Sequence, residues 1–242
     1  MKVKCLLHQM RLNKFLAHAG VASRRKCDEF ISKGKVTING KVVRDFSYNV
    51  SENDLVMCDR HLIDTVQERV VYLLNKPKGY ICTNNDTHKR KKVIDLIPTH
   101  ERLFTVGRLD RDTTGAILLT NDGDLANKLM HPKYNKKKVY LVETKKDIDP
   151  EKLKTLPNGI RLDKGEWARG EIRLLDKYNG KFLWEVILTE GKNREVKRIF
   201  DAFDSKVFTL HRYSFAGLAV DHLKLGKYKQ LNKKTVQSLQ NS

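Results

Sequence analysis

At 242 residues the chain has room for one medium domain and one small one, and its 48 Lys and Arg against 29 Asp and Glu leave a formal net charge of +19. That surplus favours a polyanionic partner over an acidic small molecule; RNA, DNA and anionic membrane stay open, membrane least, because no apolar run approaches the roughly 20 residues of a spanning helix. Four scattered cysteines, Cys5, Cys27, Cys58 and Cys82, form no C-x-x-C pair and no zinc-type cluster, so they read as reduced thiols of a cytoplasmic protein.

Residues 1 to 10 read as an N-terminal tail, too short and polar for a secretory signal, with Met10 as an alternative start. Arg11 to Ala19 predicts a short helix with Leu12, Phe15, Leu16 and Ala19 on one face, and Gly20 follows where a C′ glycine belongs. Ser23 then caps a second helix that buries Cys27, Phe30 and Ile31. This spacing leaves Arg24, Arg25 and Lys26 in its first turn, where cations oppose the helix dipole. Two readings follow: solvated charge, or an anion site built with the free N–H groups. Val36, Ile38, Asn39-Gly40 and Val42 predict a hairpin with a type I′ turn.

The string RLNKFLAHAGVASRRKCDEFISKGKVTINGKVV resembles the S4 RNA-binding fold, the S-R-R helix start and the V-x-I-N-G turn both falling in register. The resemblance implies an S4 domain over residues 11–58 that grips RNA backbone through Arg11, Lys14, Arg24, Arg25 and Lys26. Such contacts fix position without reading base sequence. Charge then reverses: residues 11 to 44 hold nine Lys/Arg and two acids, while 45 to 69 hold two Lys/Arg and six acids, so residues 59–69 are taken as a linker.

A second domain is expected over residues 70–242, with strands at Val70 to Asn75, Leu103 to Leu109, Ala116 to Thr120, Val139 to Thr144, Glu171 to Asp176 and Phe182 to Thr189, the last two joined at Asn179-Gly180. Helices are expected at Gly123 to Met130, Pro150 to Leu156 and Asn193 to Phe203, with a helical tail after about Leu231. Strands and helices do not alternate strictly, which favours an α+β fold on an antiparallel or mixed sheet over a doubly wound one.

Residues 106 to 132, VGRLDRDTTGAILLTNDGDLANKLMHP, set four acids and two arginines between apolar strands. Arg108 and Asp110 fall on one face of an extended strand at i and i+2, and a carboxylate beside cations stays ionised near neutrality. The residues alone leave a strand-end ion pair and a nucleophile as equal readings. The order G-R-L-D-x-x-T-x-G then L-L-T-N-D-G, with Lys76-Pro77-Lys78-Gly79 before it and LTEGKNREVKRIF after it, resembles the pseudouridine synthases that carry an N-terminal S4 domain and modify ribosomal RNA. One departure is Thr114-Gly115-Ala116-Ile117 where that family has Ser-Gly-Leu-Leu; apolar character is kept.

The resemblance implies a uridine-to-pseudouridine isomerase with Asp110 as its essential carboxylate, attacking the base or the sugar, on a base extruded into a pocket. Tyr140 would stack on that base and Lys197 would pair with Asp110; Tyr140, Lys197, Arg108 and Arg194 are taken as substrate-binding. Arg194 and Arg198 either share the pairing or, at i and i+4 on a helix, line an RNA-facing stripe with Lys197 on its flank. The third motif, E-G-K-N-R-E-V-K-R, is closer to the large-subunit ribosomal RNA enzymes than to the small-subunit one. No metal, nucleotide or organic cofactor is implied, and ribosomal RNA or a pre-ribosomal particle is the expected partner of a monomer. The runs Lys89-Arg90-Lys91-Lys92 and Lys133 to Lys138 read as phosphate contacts, and His131 and His211 as surface or packed residues. A non-catalytic RNA-binding assembly factor on the same fold, or a DNA-binding protein using the basic helix pair, would share this composition.

Overall fold

The computed structural model describes residues 10–63 and 68–241. Cys5, the tail up to residue 9 and residues 64–67 of the expected linker lie outside the described residues. The chain divides into two compact units, Met1–Arg69 with His100–Arg102, and Val70–Thr99 with Leu103–Ser242.

The N-terminal unit begins with β1 (Met10–Arg11), followed by α1 (Leu12–His18) and α2 (Arg24–Ser32). Strands β2 (Val36–Ile38), β3 (Lys41–Val42), β4 (Asn49–Val50), β5 (Val56–Cys58) and β6 (His61–Leu62) follow. β1 pairs with β4, and the other four make a sheet in the order β3-β2-β5-β6. Ser23 caps α2 by accepting from the Lys26 N–H, as its position predicts. Asn39 and Gly40 both take positive φ, 51° and 80°, as a type I′ turn requires. Leu12, Leu16, Cys27, Ile31 and Val36 form the core, while Phe30 is only partly buried and carries the Lys26 and Lys35 ammonium groups over its ring. Burial pushes the Cys27 thiol up to about 11.

The second unit is built on β7 (Val71–Lys76), β8 (Phe104–Val106), β9 (Thr114–Thr120), α3 (Gly123–Met130), β10 (Lys138–Thr144) and α4 (Pro150–Leu153). It continues through β11 (Ile160–Arg161), β12 (Trp167–Ala168), β13 (Glu171–Tyr178), β14 (Lys181–Leu188) and α5 (Glu195–Ala202). Last come β15 (Val207–Phe215), β16 (Leu218–Ala219), β17 (Tyr228–Gln230) and α6 (Lys233–Asn241). The main sheet runs β13-β14-β10-β15-β9-β7-β17, with β8 paired to β9 and β16 to β15. β15 and β9 run parallel while the other pairs are antiparallel, so the sheet is mixed. β7 is buried along its whole length because alternate residues enter two cores, Tyr72 and Leu74 on one face, Val71 and Leu73 on the other.

Several expected elements shift for identifiable reasons. The strand expected to reach Leu109 stops at Val106, because Gly107 turns the chain with φ +75°. Arg108 and Asp110 therefore do not share a strand face. The third helix begins at Glu195, since Arg194 sits at its N-cap with φ +50°. The helix expected from Pro150 to Leu156 ends at Leu153. β15, the longest strand, has no counterpart in the sequence reading; its buried Arg212 interrupts the apolar pattern that would announce a central strand.

Candidate active site

The Asp110 loop is held from beneath by an ammonium. Lys76, at the end of β7, is fully buried, and its Nζ donates to the carbonyls of Asp110 at 2.9 Å, Thr113 at 2.7 Å and Arg111 at 3.4 Å. Burial lowers its pKa, opposed by Cys82 and by the Asp112 and Asp110 carboxylates. Gly79 N–H donates to the Arg111 carbonyl at 2.7 Å, and Leu109 N–H to Cys82 Sγ at 3.4 Å. Five backbone-directed bonds thus fix a loop that has no ladder of its own. The exit from that loop is fixed as well. Gly115, with φ +109°, lies against β15 so closely that a Cβ would sit 2.2 Å from the Arg212 carbonyl oxygen.

Above this support the Asp110 carboxylate is half-buried and faces α5. Lys197 Nζ is 3.4 Å from Asp110 Oδ2 and 2.7 Å from Asp112 Oδ2, and an Arg194 guanidinium nitrogen is 3.9 Å from Asp110 Oδ2. Lys197 is buried and gives its hydrogen bond to Asp112, holding that carboxyl below its usual range. Asp110 therefore has a cation beside it while its oxygens stay free of a hydrogen bond from that cation.

Asp110 lines a cleft of about 1160 Å³, roomy enough for a nucleoside, together with Tyr140, Lys138, Arg194, Glu195 and Arg212. Tyr140 comes from β10, opposite Arg212 of β15 and Val186 of β14. Burial and the nearby Arg212 guanidinium push the Lys138 ammonium down to about 8, even though it donates to the Thr189 carbonyl at 2.8 Å and the Lys136 carbonyl at 3.0 Å. Burial raises Glu195, whose Oε1 lacks a hydrogen-bond partner, as does one terminal nitrogen of Arg212. No group of three or more His, Cys, Asp or Glu among the described residues is placed to hold a metal ion.

Residues 70–202 match the RNA pseudouridylate synthase family and residues 10–56 match the S4 domain. The chain belongs to the RNA pseudouridine synthase family. It is 41% identical over 232 residues to the ribosomal large subunit pseudouridine synthase B of Bacillus subtilis (strain 168), covering 95% of each chain. It is 40% identical to an uncharacterized RNA pseudouridine synthase of Aquifex aeolicus (strain VF5), covering 93% of this chain and 91% of that one. A crystal structure of a pseudouridylate synthase superposes with a TM-score of 0.68 at 30% identity, covering 95% of this chain and 99% of the other.

In this pseudouridine synthase the geometry brings Asp110, Tyr140, Lys197 and Arg194 to one cleft and its wall, and separates others. Arg108 is exposed at the cleft, and the cations within ion-pair reach of Asp110 come from α5 instead. Arg198 cannot share the pairing, nor form an outward stripe with Arg194, because it is bound to Asp163 and Glu166 on the flank of the helix. Of the two basic runs, Arg90 is tied to Asp86 and Lys92 to Asp95, while Lys136 is buried and Lys138 faces the cleft; Lys89, Lys91, Lys133 and Lys137 are exposed. His131 is exposed; His211 is partly buried against Thr114 Oγ1 at 2.9 Å, and burial lowers its pKa. In the S4 domain Arg11, Arg24 and Arg25 are exposed, Lys14 is partly buried and Lys26 pairs with Glu29 at 2.7 Å.

Lys76, Asp112, Glu195 and Arg212 were missed as site residues, and Lys138, expected as a phosphate contact, lines the cleft. Lys76 and Asp112 stand inside the recognised motifs, and Lys138 two residues before Tyr140 on the same strand face, so spacing could have found those three. Glu195 likewise stands inside the third motif, and only Arg212 gave no such signal.

Proposed function

We propose that this synthase converts a uridine of large-subunit ribosomal RNA to pseudouridine, with Asp110 as the nucleophile and the target base turned out of its stack into the cleft. The reading is carried by one observation, the half-buried Asp110 carboxylate at a nucleoside-sized cleft with Lys197 Nζ 3.4 Å away. Tyr140 on the cleft wall supplies a ring for the extruded uracil. The large-subunit assignment rests on the relatives named above and on the E-G-K-N-R-E-V-K-R motif.

The isomerisation breaks the N1–C1′ bond and makes a C1′–C5 bond. The proton on C5 leaves to solvent, N1 takes up a proton, and the carboxylate is regenerated. Between the two bond changes the uracil is detached, so walls that retain and orient it supply much of the advantage. Lys197, fixed by Asp112, keeps its ammonium 3.4 Å from the Asp110 carboxylate.

Large-subunit RNA carrying 5-tritiated uridine tests the reading. Wild type should release tritium; Asp110→Asn should lose about a thousandfold or more in rate, several kcal/mol of barrier, while still binding RNA. Equal release by both proteins overturns the role of Asp110. No release by wild type on any ribosomal RNA favours the non-catalytic assembly factor. Mapping pseudouridines in a strain lacking the gene gives the subunit and the position.

A further inference from the structure

From Leu223 to Ser242 the chain has no Asp or Glu and five lysines, Lys224, Lys227, Lys229, Lys233 and Lys234. All five are exposed, and among the described residues none has an acidic partner. The opposite end of the same sheet is built differently. There Lys177 pairs with Asp147, Lys181 with Glu143 and Arg173 with Glu185, and on the neighbouring surface Lys152 pairs with Asp204 and Lys154 with Glu151. One end of the sheet is neutralised and the other is left positive.

The positive end adjoins the loop that carries Asp110. β17 is hydrogen-bonded to β7, with Gly226 N–H donating to the Asn75 carbonyl at 2.8 Å and Asn75 N–H to the Lys227 carbonyl at 3.0 Å. The next residue, Lys76, holds the Asp110, Arg111 and Thr113 carbonyls. Lys78 and Arg111 are exposed where β7 meets that loop and, among the described residues, lack acidic partners. Exposed cations therefore run from the cleft wall over Lys78 to β17 and the first turn of α6. Lysines on an edge strand also discourage strand-to-strand aggregation, and that role would account for Lys227 and Lys229. It does not require Lys224, Lys233 or Lys234, which lie farther from the strand than Lys227, the residue just before it. Two lysines in the first turn of α6 oppose its dipole, a local cost that a bound polyanion would offset.

We infer that the β17 edge and the start of α6 form a second nucleic-acid surface, which holds the phosphate backbone of the RNA flanking the target nucleotide. At the same edge Tyr228, on the opposite sheet face from Lys229, is exposed with its ring edge-on to Tyr72, centroids 5.8 Å apart, and offers a face to an unpaired base. The inference rests on RNA as the substrate but not on the chemistry of Asp110, and the two are tested separately.

Binding of a large-subunit RNA fragment is measured against salt in an Asp110→Asn background. Lys224→Gln/Lys227→Gln/Lys229→Gln should weaken binding about tenfold near physiological salt and flatten the log–log salt slope by about two, close to 0.7–0.9 for each lost phosphate contact. Lys154→Gln/Lys177→Gln/Lys181→Gln removes the same net charge from the neutralised end and should change the slope by less than half as much. Equal effects of the two triples, or none from the first, overturn the inference. Ultraviolet crosslinking with mass-spectrometric mapping is the second readout: a crosslink on the peptide containing Tyr228 supports it, and crosslinks confined to other peptides count against it. Should the first triple alter thermal unfolding, the crosslink on the otherwise unmodified chain decides.

Discussion

Arg24 and Arg25 stand exposed in the first turn of α2, where Arg24 donates a 3.4 Å hydrogen bond to Asn13, whereas Lys76 is fully buried among four carbonyl oxygens. Lys197 and Arg212 are likewise buried in the synthase unit, each bonded to a named acceptor. Both regions are rich in positive charge, yet their cations do different work. Exposed cations keep their hydration and meet phosphate at little cost to the fold. Buried cations must be compensated inside the protein, so they fix backbone in place. A net charge of +19 reports the first kind and says nothing about the second.

The comparison breaks most visibly at Lys76. Lys76→Met removes the donor and leaves buried carbonyls unsatisfied, so we expect a loss of about 2–4 kcal/mol in denaturant unfolding. Activity should fall about a hundredfold through the displaced Asp110 loop. If Lys76 were a solvated charge like Arg24, neither quantity would move.

Lys138 sharpens the contrast through pH. Its folded-state pKa of about 8 lies below the ordinary 10.5, so between these values the unfolded chain binds more protons than the folded one. Its burden on stability is greatest below pH 8 and is relieved as pH rises towards 10.5. Unfolding midpoints of wild type and Lys138→Met, compared at pH 7 and pH 9.5, should differ in this way: the variant gains more at pH 7 than at pH 9.5. A difference independent of pH would remove Lys138 from the buried class.

The smallest effect is expected in the S4 domain. Arg24→Gln/Arg25→Gln should flatten the salt dependence of RNA binding by roughly 1.5 and weaken binding several-fold. Thermal unfolding should stay unchanged or rise slightly, because the two cations oppose the α2 dipole. A marked loss of stability would place these arginines with Lys76.

Legibility in the sequence followed the same division. The S4 helices were readable because Leu12, Phe15 and Leu16, then Cys27 and Ile31, keep helical spacing and Ser23 and Gly20 punctuate them. Both Asn-Gly hairpins were readable from turn chemistry alone. Asp110, Tyr140 and Lys197 were reached through motif resemblance, since spacing by itself left an ion pair and a nucleophile equal. The partners that set the site's electrostatics were hidden by tertiary pairing: Asp112 takes the Lys197 hydrogen bond across 85 residues, and Arg212 reaches the Ala116 carbonyl across 96. β15 was hidden for a related reason, its period broken by a buried cation whose compensation lies on another strand.

β15 also joins the two halves of the proposed site. The strands β7, β8, β9 and β17 form one half of the main sheet and β10, β13 and β14 the other, and only β15 is hydrogen-bonded to both. Asp110 precedes β9 in the first half and Tyr140 lies on β10 in the second, so their spacing is set by a seam only two residue pairs long, His211 with Thr114 and Arg212 with Gly115. A nascent polypeptide that has emerged only as far as Val207 carries every residue of the proposed chemistry and still lacks the piece that joins them. In a fragment ending there, the two half-sheets would be joined by no strand, and it is expected to be inactive in the tritium-release assay.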